Sequence, residues 1–157
     1  MAEQTARYFD DFKVGDRFTT KGLTLTEAAI IDFAFKYDPQ PFHLDKNAAA
    51  ESHFGGLIAS GFQTLACGFR MLIQENLIGD AGMGSPGLDD LRWLQPVYAG
   101  DTIYMDMEVV EMTPSESRPD RGRARCAYTI RNQHGEAVLT VTARQLLKRR
   151  TGEEAAG

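Results

Sequence analysis

The segment from Asp38 to His43 holds the residue types best suited to chemistry in this sequence. Asp38 and His43 are five positions apart, and Pro39 and Pro41 lie between them. Two prolines this close exclude a regular helix through residues 38–41 and stiffen the backbone. A carboxylate and an imidazole held at one point suit general acid–base catalysis near neutral pH. The alternative is a turn aspartate beside a structural histidine.

A second group of residues lies ahead of a predicted helix and could bind negative charge. Gly55 and Gly56 are followed by Ser60 and Gly61. A helix N-terminus offers unpaired backbone N–H groups and the positive end of the helix dipole. Glycine lets a ligand approach that backbone closely, as an oxyanion hole for a carbonyl compound requires. The alternative is that Ser60 only caps the helix.

Other chemistries have less support. His43 and Asp45 have a spacing that suits metal ligands, but the sequence has only three histidines and no cluster of Cys and His. Zinc sites use three or four such ligands, so we expect no metal and no other cofactor. Ser60 has no Gly-x-Ser-x-Gly context, which argues against a serine nucleophile. We expect His53 to be structural or exposed.

The composition indicates one globular domain. The chain has 157 residues, with 17 basic and 22 acidic side chains and a net charge of −5. This charge argues against general nucleic-acid binding. Cys67 and Cys126 fit no disulfide framework or zinc site. The N-terminus does not resemble a signal peptide, and no apolar run is long enough to cross a membrane, so we expect a cytoplasmic protein. We predict a single domain over 1–150 and a disordered tail over 151–157.

The first half of the sequence predicts helices joined by the candidate site. Thr24 or Thr26 is a candidate N-cap for a helix that reaches about Lys36, and its apolar residues on nearly every side indicate burial. Asp45 can cap a short alanine-rich helix. Apolar residues then recur at helical spacing, which predicts a long central helix that ends at Gly79: Phe62, Leu65, Ala66, Phe69, Leu72, Ile73 and Leu77.

The second half of the sequence predicts antiparallel strands. A strand over residues 88–94 is followed by alternating apolar and polar residues over 103–109 and 124–130, then a turn over 132–135 and a last strand over 138–147. One long helix against consecutive strands indicates an α+β layer architecture. The arginine stretch Arg118, Arg121, Arg123 and Arg125 is typical of a solvated face, and contact with phosphates is the alternative.

Three motifs in this order resemble the MaoC-like family of hot-dog hydratases and dehydratases. They are the stretch from Tyr37 to Asp45, the stretch from Phe54 to Gly61, and Leu91-Arg92-Trp93-Leu94-Gln95-Pro96-Val97-Tyr98-Ala99-Gly100-Asp101. The resemblance covers roughly residues 10–148. It implies a hot-dog fold, in which an antiparallel β-sheet wraps around a long central α-helix, usually paired as a homodimer.

The resemblance also implies an activity and a set of site residues. Many family members hydrate trans-2-enoyl-CoA to (R)-3-hydroxyacyl-CoA in fatty acid metabolism. The family's catalytic aspartate and histidine correspond to Asp38 and His43, and its N–H that polarises the thioester carbonyl corresponds to Gly61. The implied substrate-binding residues come from the same motifs: Gln40, Phe42, Phe54, Gly56 and Ser60. We expect an acyl-CoA thioester as substrate, with no nucleic acid or membrane as partner.

Two positions depart from the family pattern. Gln40 stands where the family usually has asparagine, and Ser60 where it usually has histidine. We expect these changes to move pocket volume from one wall to another and to shift preference from straight short chains toward branched or carboxylated acyl groups. Two other functions remain open. One is a non-catalytic acyl-CoA binding module. The other is a hot-dog thioesterase, which commonly has a carboxylate on the central helix, where only Glu75 is available.

Overall fold

The architecture is one long helix packed on an antiparallel sheet, in a computed structural model that describes residues 7–150. A 3-10 helix, Phe9–Asp11, precedes strands β1 (Arg17–Thr19) and β2 (Leu23–Thr24). The helices are α1 (Glu27–Tyr37), α2 (Pro41–Leu44), α3 (Lys46–Glu51) and α4 (Gly61–Gln74). The remaining strands are β3 (Gly87–Trp93), β4 (Thr102–Pro114), β5 (Arg121–Arg131) and β6 (Ala137–Lys148).

The sheet has six antiparallel strands in the order β1-β4-β5-β6-β3, with β2 also pairing with β4. Inward side chains alternate with outward ones, as the sequence pattern predicts. The inward residues on β4 and β5 form much of the core: Ile103, Met105, Met107, Val109, Ala124, Cys126, Tyr128 and Ile130. The predicted α+β class and the hot-dog architecture are confirmed, and β3 is left at an edge of the sheet.

Gly68 allows α4 to approach the sheet closely. A Cβ atom on Gly68 would lie 2.5 Å from Cδ1 of Ile130 and 3.0 Å from Cε of Met105, closer than packed side chains allow. Glycine within a helix is destabilising by about 1 kcal/mol relative to alanine. Its presence here is explained by the close contact between α4 and β4–β5.

The predicted extent and buried face of α4 are partly wrong. The helix ends at Gln74 rather than continuing to Gly79, because Asn76 adopts a left-handed backbone conformation with φ of 50°. Phe62 and Phe69 of the predicted core stripe are 61% and 42% exposed. The buried residues of α4 lie mainly on a neighbouring face: Gln63, Thr64, Gly68, Met71 and Leu72. An apolar stripe of α4 is therefore only partly covered within one chain.

Helix α1 has one buried face, so the prediction that it is buried on nearly every side is wrong. Only Ile30 and Ala34, one turn apart, are buried, while Phe35 is 77% exposed. The helix lies at the surface and turns a single stripe toward the core. Of the two predicted N-caps, Thr26 is the residue that caps α1: its hydroxyl accepts a hydrogen bond from the N–H of Ala29.

Cys67 and Cys126 are not joined by a disulfide, and burial raises the pKa of the Cys126 thiol to about 12. Among residues 7–150, no helix is both long and apolar enough to span a membrane. The predicted tail over 151–157 lies outside the described residues.

Candidate active site

The structure brings Asp38 and His43 together. Asp38 directly follows α1, and its N–H bonds to the carbonyl of Ala34. His43 lies on α2, which begins at Pro41, a residue suited to the first position of a helix. Nε2 of His43 is 3.3 Å from Oδ2 of Asp38, and the two side chains are 5% and 16% exposed. The pair is therefore mostly shielded from water, with the carboxylate on the more open side.

The carbonyl oxygen of Ile58 determines which nitrogen of His43 can react. Nδ1 of His43 is 2.7 Å from this oxygen. A carbonyl oxygen only accepts hydrogen bonds, so Nδ1 carries a hydrogen and donates it. In the neutral imidazole, Nε2 is then the unprotonated nitrogen. It faces Asp38, and it is the atom that can take up a proton.

The carboxylate of Asp38 is held by two further side chains. Ser60 Oγ donates to Oδ2 at 2.6 Å, and Gln40 Nε2 donates to Oδ1 at 2.8 Å. Burial acts to raise the pKa of Asp38, but the hydrogen bonds from Ser60 and Gln40, together with His43, outweigh it and leave the pKa below its ordinary value. Asp38 is therefore ionised at neutral pH.

The two departures from the family pattern thus meet at one carboxylate. Gln40 is exposed and Ser60 is fully buried, yet both donate to Asp38. These contacts give no support to the prediction that Gln40 and Ser60 move pocket volume from one wall to another. Their direct contact with a substrate stays a prediction.

Ser60 precedes α4 in the cap position, but its side chain does not cap the helix. Its hydroxyl is directed at Asp38 instead. Within the part of the chain that the structure describes, the N–H groups of Gly61 and Phe62 have no hydrogen-bond acceptor. Free N–H groups at a helix N-terminus favour an anionic oxygen. The first turn of α4 therefore keeps donors available beside the Asp38–His43 pair.

Trp93 covers the N-terminus of α4. From the position that a Cβ atom of Gly61 would take, Nε1, Cε2 and Cδ1 of Trp93 lie at 2.3, 2.6 and 2.7 Å. These similar distances mean that the indole presents its face to Gly61. The ring also makes an edge contact with Phe62, with centroids 5.5 Å apart. Any residue larger than glycine at position 61 would collide with this ring.

Gly61→Ala is expected to displace Trp93 and disturb the site. A misplacement of about 1 Å in an active site can lower activity up to about 10²-fold. Trp93 is the single tryptophan of the sequence, so its fluorescence emission reports the displacement directly. Gly87→Ala on β3 is the control, because nothing lies within 4 Å of a Cβ there. An emission spectrum of Gly61→Ala identical to the wild type would contradict this packing.

The remaining predicted site residues form an aromatic wall beside His43. The ring of Phe42 makes edge contacts with His43 and Phe54, with centroids 4.6 and 5.1 Å away. The carbonyl of Phe54 accepts from the hydroxyl of Tyr98 at 2.8 Å, and Gly56 lies against the same tyrosine ring. Phe42 therefore lies against His43, Phe54 lies against Phe42, and Gly56 lies against Tyr98. Their role in binding stays a prediction.

The segment that contains Ile58 is hydrogen-bonded to the segment that follows β3. The N–H of Ala59 donates to the carbonyl of Val97 at 2.8 Å, and the N–H of Ala99 donates to the carbonyl of Leu57 at 3.1 Å. Ile58 and Tyr98 lie opposite each other between these two hydrogen bonds and form an isolated antiparallel β-bridge. The spacing of residues in the sequence cannot reveal the Ile58 carbonyl or Tyr98, because both depend on this long-range pairing.

The metal site and the arginine stretch were the other candidates, and contact of the arginines with phosphates stays a prediction. Residues 7–150 contain no group of His, Cys, Asp and Glu that could hold a metal ion. In the arginine stretch, Arg121 pairs with Asp120, and Arg125 lies 3.7 Å from Asp89 and 3.6 Å from Glu111.

The fold is that of the hot-dog proteins, with Asp38 and His43 paired beside the N-terminus of its long helix. The model of the MaoC like domain matches residues 11–126, and the chain belongs to this family. It is 41% identical to a MaoC-like dehydratase from Rhodospirillum rubrum, with a TM-score of 0.86 over 93% of this chain and 99% of that one.

Two further proteins are similar over nearly the whole chain. An uncharacterised Bacillus subtilis protein, YdeM, is 33% identical over 89% of this chain and 98% of its own length. The structure of the R-hydratase PhaJ1 from Pseudomonas aeruginosa is 25% identical, with a TM-score of 0.73 over 92% of this chain and 91% of that one. Both proteins align over nearly their full length.

Proposed function

We propose that this protein is a hydro-lyase that interconverts trans-2-enoyl-CoA and (R)-3-hydroxyacyl-CoA, with Asp38 and His43 as its acid–base pair. The observation that carries the proposal is the hydrogen bond from His43 Nδ1 to the Ile58 carbonyl. It leaves Nε2 as the ring nitrogen that can gain or lose a proton, and Nε2 is 3.3 Å from Oδ2 of Asp38. When the imidazole is neutral, a water molecule can donate one hydrogen to Nε2 and the other to the carboxylate.

The proposed mechanism uses one water molecule as the nucleophile. Its hydrogens are directed at Asp38 and at Nε2 of His43, and a lone pair faces the substrate. The water oxygen bonds to the β-carbon of the enoyl group and keeps one hydrogen as the new hydroxyl. The other hydrogen passes to the pair, and the α-carbon takes one proton from the pair. In dehydration the same transfers run in reverse.

The thioester oxygen is proposed to lie at the N-terminus of α4. As the β-carbon is attacked, electrons move through the conjugated system and negative charge develops on this oxygen. The Gly61 N–H has no acceptor among the described residues and lies beside the positive end of the helix dipole. It is the donor proposed to stabilise that charge.

The test is a panel of trans-2-enoyl-CoA thioesters of varied length and branching. Hydration removes the conjugated double bond, so the fall in enoyl absorbance measures turnover without a coupled assay. We expect turnover with at least one member and an (R)-configured product. Micromolar binding across the panel with no loss of absorbance would instead indicate a non-catalytic binding module.

A thioesterase has less structural support. The carboxylate of Glu75 directly follows α4, about 21 Å along the helix axis from Gly61, and accepts a hydrogen bond from the N–H of Lys21. It is at the opposite end of the helix from the Asp38–His43 pair. Release of free CoA from saturated acyl-CoA, followed with a thiol reagent, would favour this function.

We further propose that the protein acts in the cytoplasm as a homodimer. Strand β3 lies at an edge of the sheet, and large apolar side chains on β3 and α4 are well exposed: Phe62, Phe69, Ile73, Leu88 and Trp93. Exposed apolar surface next to an unpaired strand edge favours association between copies. Light scattering is expected to give twice the mass of one chain at micromolar concentration. A monomer mass would contradict the dimer.

A further inference from the structure

The bridge between Ile58 and Tyr98 belongs to a small ladder of hydrogen bonds that ends at His43. Two backbone hydrogen bonds flank this residue pair. In an antiparallel pair flanked in this way, each residue directs its own N–H and C=O away from the other. On the side of Ile58 these groups meet α2: the N–H donates to the carbonyl of Phe42 at 3.2 Å, and the carbonyl accepts from Nδ1 of His43. The position of the Ile58 carbonyl therefore also depends on what holds the other side of the bridge.

On the side of Tyr98, both backbone groups bond to Asp101. The N–H of Tyr98 donates to Oδ2 of Asp101 at 2.8 Å, and the carbonyl of Tyr98 accepts from the N–H of Asp101 at 3.0 Å. Gly100, in a left-handed conformation with φ of 92°, makes this tight turn possible. The carboxylate of Asp101 thus accepts the N–H that the bridge leaves unpaired.

Asp101 is itself anchored to the rest of the fold. Its carbonyl accepts from the N–H of Leu25 at 2.9 Å, and its Oδ1 accepts from Nε2 of Gln133 at 2.8 Å. Leu25 is buried in the core, and Gln133 lies in the turn between β5 and β6. The side chain of Asp101 therefore connects the sheet to the bridge between Tyr98 and Ile58.

We propose that Asp101 is a positioning residue for His43. Its carboxylate holds the Tyr98 N–H and with it the bridge, and the bridge holds the Ile58 carbonyl 2.7 Å from Nδ1 of His43. The hydrogen of the neutral imidazole is thereby kept on Nδ1, and Nε2 is left to face Asp38. The proposal rests on the proposed function, in which Nε2 exchanges a proton, and Asp101 acts only through these intermediate groups.

A second turn of the same construction, which ends at Asp16, provides a matched control. The N–H of Lys13 donates to Oδ2 of Asp16 at 2.9 Å, and the carbonyl of Lys13 accepts from the N–H of Asp16 at 3.1 Å. A left-handed glycine precedes Asp16 as well, with φ of 95°. This turn pairs with the backbone of Val109 on β4 and not with the segment around Ile58. Removal of Asp16 therefore repeats the loss of charge and of local bonding that removal of Asp101 causes, away from His43.

The first measurement is the tautomer of His43, read from the ring nitrogens by NMR of the protein without ligand at a pH where the imidazole is neutral. The sequence has three histidines, and His43→Ala assigns the signal. The wild-type protein is expected to have the hydrogen on Nδ1, and Asp101→Ala is expected to show a mixture of both tautomers. Asp101→Asn keeps an oxygen that can accept the Tyr98 N–H. It should retain the wild-type tautomer, as should Asp16→Ala.

The second measurement is turnover of the best substrate from the enoyl-CoA panel. Asp101→Ala is expected to lower kcat about 10–100-fold with KM little changed, because a misplacement of about 1 Å can lower activity up to about 10²-fold. Asp101→Asn should recover most of this loss, and Asp16→Ala should match the wild type.

Gly100→Ala tests the same turn should Asp101→Ala fail to fold. A Cβ at position 100 meets no atom within 4 Å, so the substitution only strains the left-handed backbone. It is expected to lower kcat and to mix the tautomers of His43. Gly15→Ala imposes the same strain on the turn before β1, where a Cβ also meets no atom, and should do neither.

The outcomes separate this proposal from the proposed function. No turnover of any member of the panel by the wild-type protein would overturn both. Turnover by the wild type, with kcat and the His43 tautomer unchanged in Asp101→Ala and in Gly100→Ala, would overturn the positioning role alone. A fall in kcat that Asp16→Ala shows to the same extent, or one that leaves the hydrogen on Nδ1, would also overturn it, because the loss would then arise from charge or stability.

Discussion

Asp38→Asn and His43→Ala are each expected to lower the kcat for enoyl-CoA hydration by about 10²–10⁴-fold, the usual contribution of a general acid–base group. The first substitution keeps the size of the side chain but removes the charge that is proposed to orient water. The second removes Nε2, the ring nitrogen left to exchange a proton because Nδ1 is bonded to the Ile58 carbonyl. In the proposed mechanism both groups act on one water, so the double variant is expected to be scarcely worse than either single one.

Matched controls distinguish this result from a general effect on folding. Asp32→Asn removes a carboxylate from the exposed face of α1, and His134→Ala removes an exposed imidazole from the turn before β6. Both should retain wild-type activity. Circular dichroism should show that the site variants fold. Near wild-type turnover by Asp38→Asn and His43→Ala on the best substrate found would mean that the pair is not catalytic.

Ser60→Ala is expected to move the acidic limb of the pH–rate profile to higher pH. The hydrogen bond from Ser60 helps to keep the pKa of Asp38 below its ordinary value. Without it the pKa rises, so the carboxylate becomes protonated at a higher pH as the medium is acidified. A hydrogen bond to a charged group contributes about 1.5–3 kcal/mol, so we expect activity on the acidic limb to fall about 10–100-fold. Activity near neutral pH should change little, because Asp38 stays ionised there.

The matched control for this prediction is Ser115→Ala, which removes a hydroxyl from the turn after β4. It should leave the pH profile unchanged. Gln40→Ala should shift the acidic limb in the same direction as Ser60→Ala, since Gln40 holds the other carboxylate oxygen. If the limb of Ser60→Ala stays in place while kcat falls, Ser60 acts on the substrate or on packing rather than on the charge of Asp38.

The sequence was sufficient to predict the sheet, because period-two alternation directly reports which side of a strand is buried. It was less informative for the helices. In α4 the apolar stripe at helical spacing predicted the core face, yet Phe62 and Phe69 are well exposed and Thr64 and Gly68 are buried. Apolar spacing does not tell which apolar residues the fold of one chain covers. Gly68 gives no apolar signal, although it allows α4 to approach the sheet closely.

The candidate site, too, could be predicted only in part from the sequence. Asp38 and His43 are close in the chain, so their spacing and the prolines between them indicated a shared location. The hydrogen bonds from Ser60 and Gln40 to Asp38 could not be predicted from the size or type of these residues. The partner of a hydroxyl or an amide depends on the fold, and here Asp38 is 22 and 2 positions away in the chain. The Ile58 carbonyl is a backbone atom, for which no side-chain pattern gives a signal.

The pairing of residues 57–59 with 97–99 has a consequence for how this protein can diverge. Backbone hydrogen bonds hold the Ile58 carbonyl, and with it the orientation of His43, so that orientation does not depend on the side chains of the pairing segments. A pocket of about 370 Å³ between α4 and the sheet, in contrast, is lined by residues on α4 and on β3, β4, β5 and β6. Substitutions can therefore accumulate among these side chains while the geometry of the Asp38–His43 pair is kept. Descendants of one ancestral chain can in this way differ in the shape of this pocket and still share the orientation of His43.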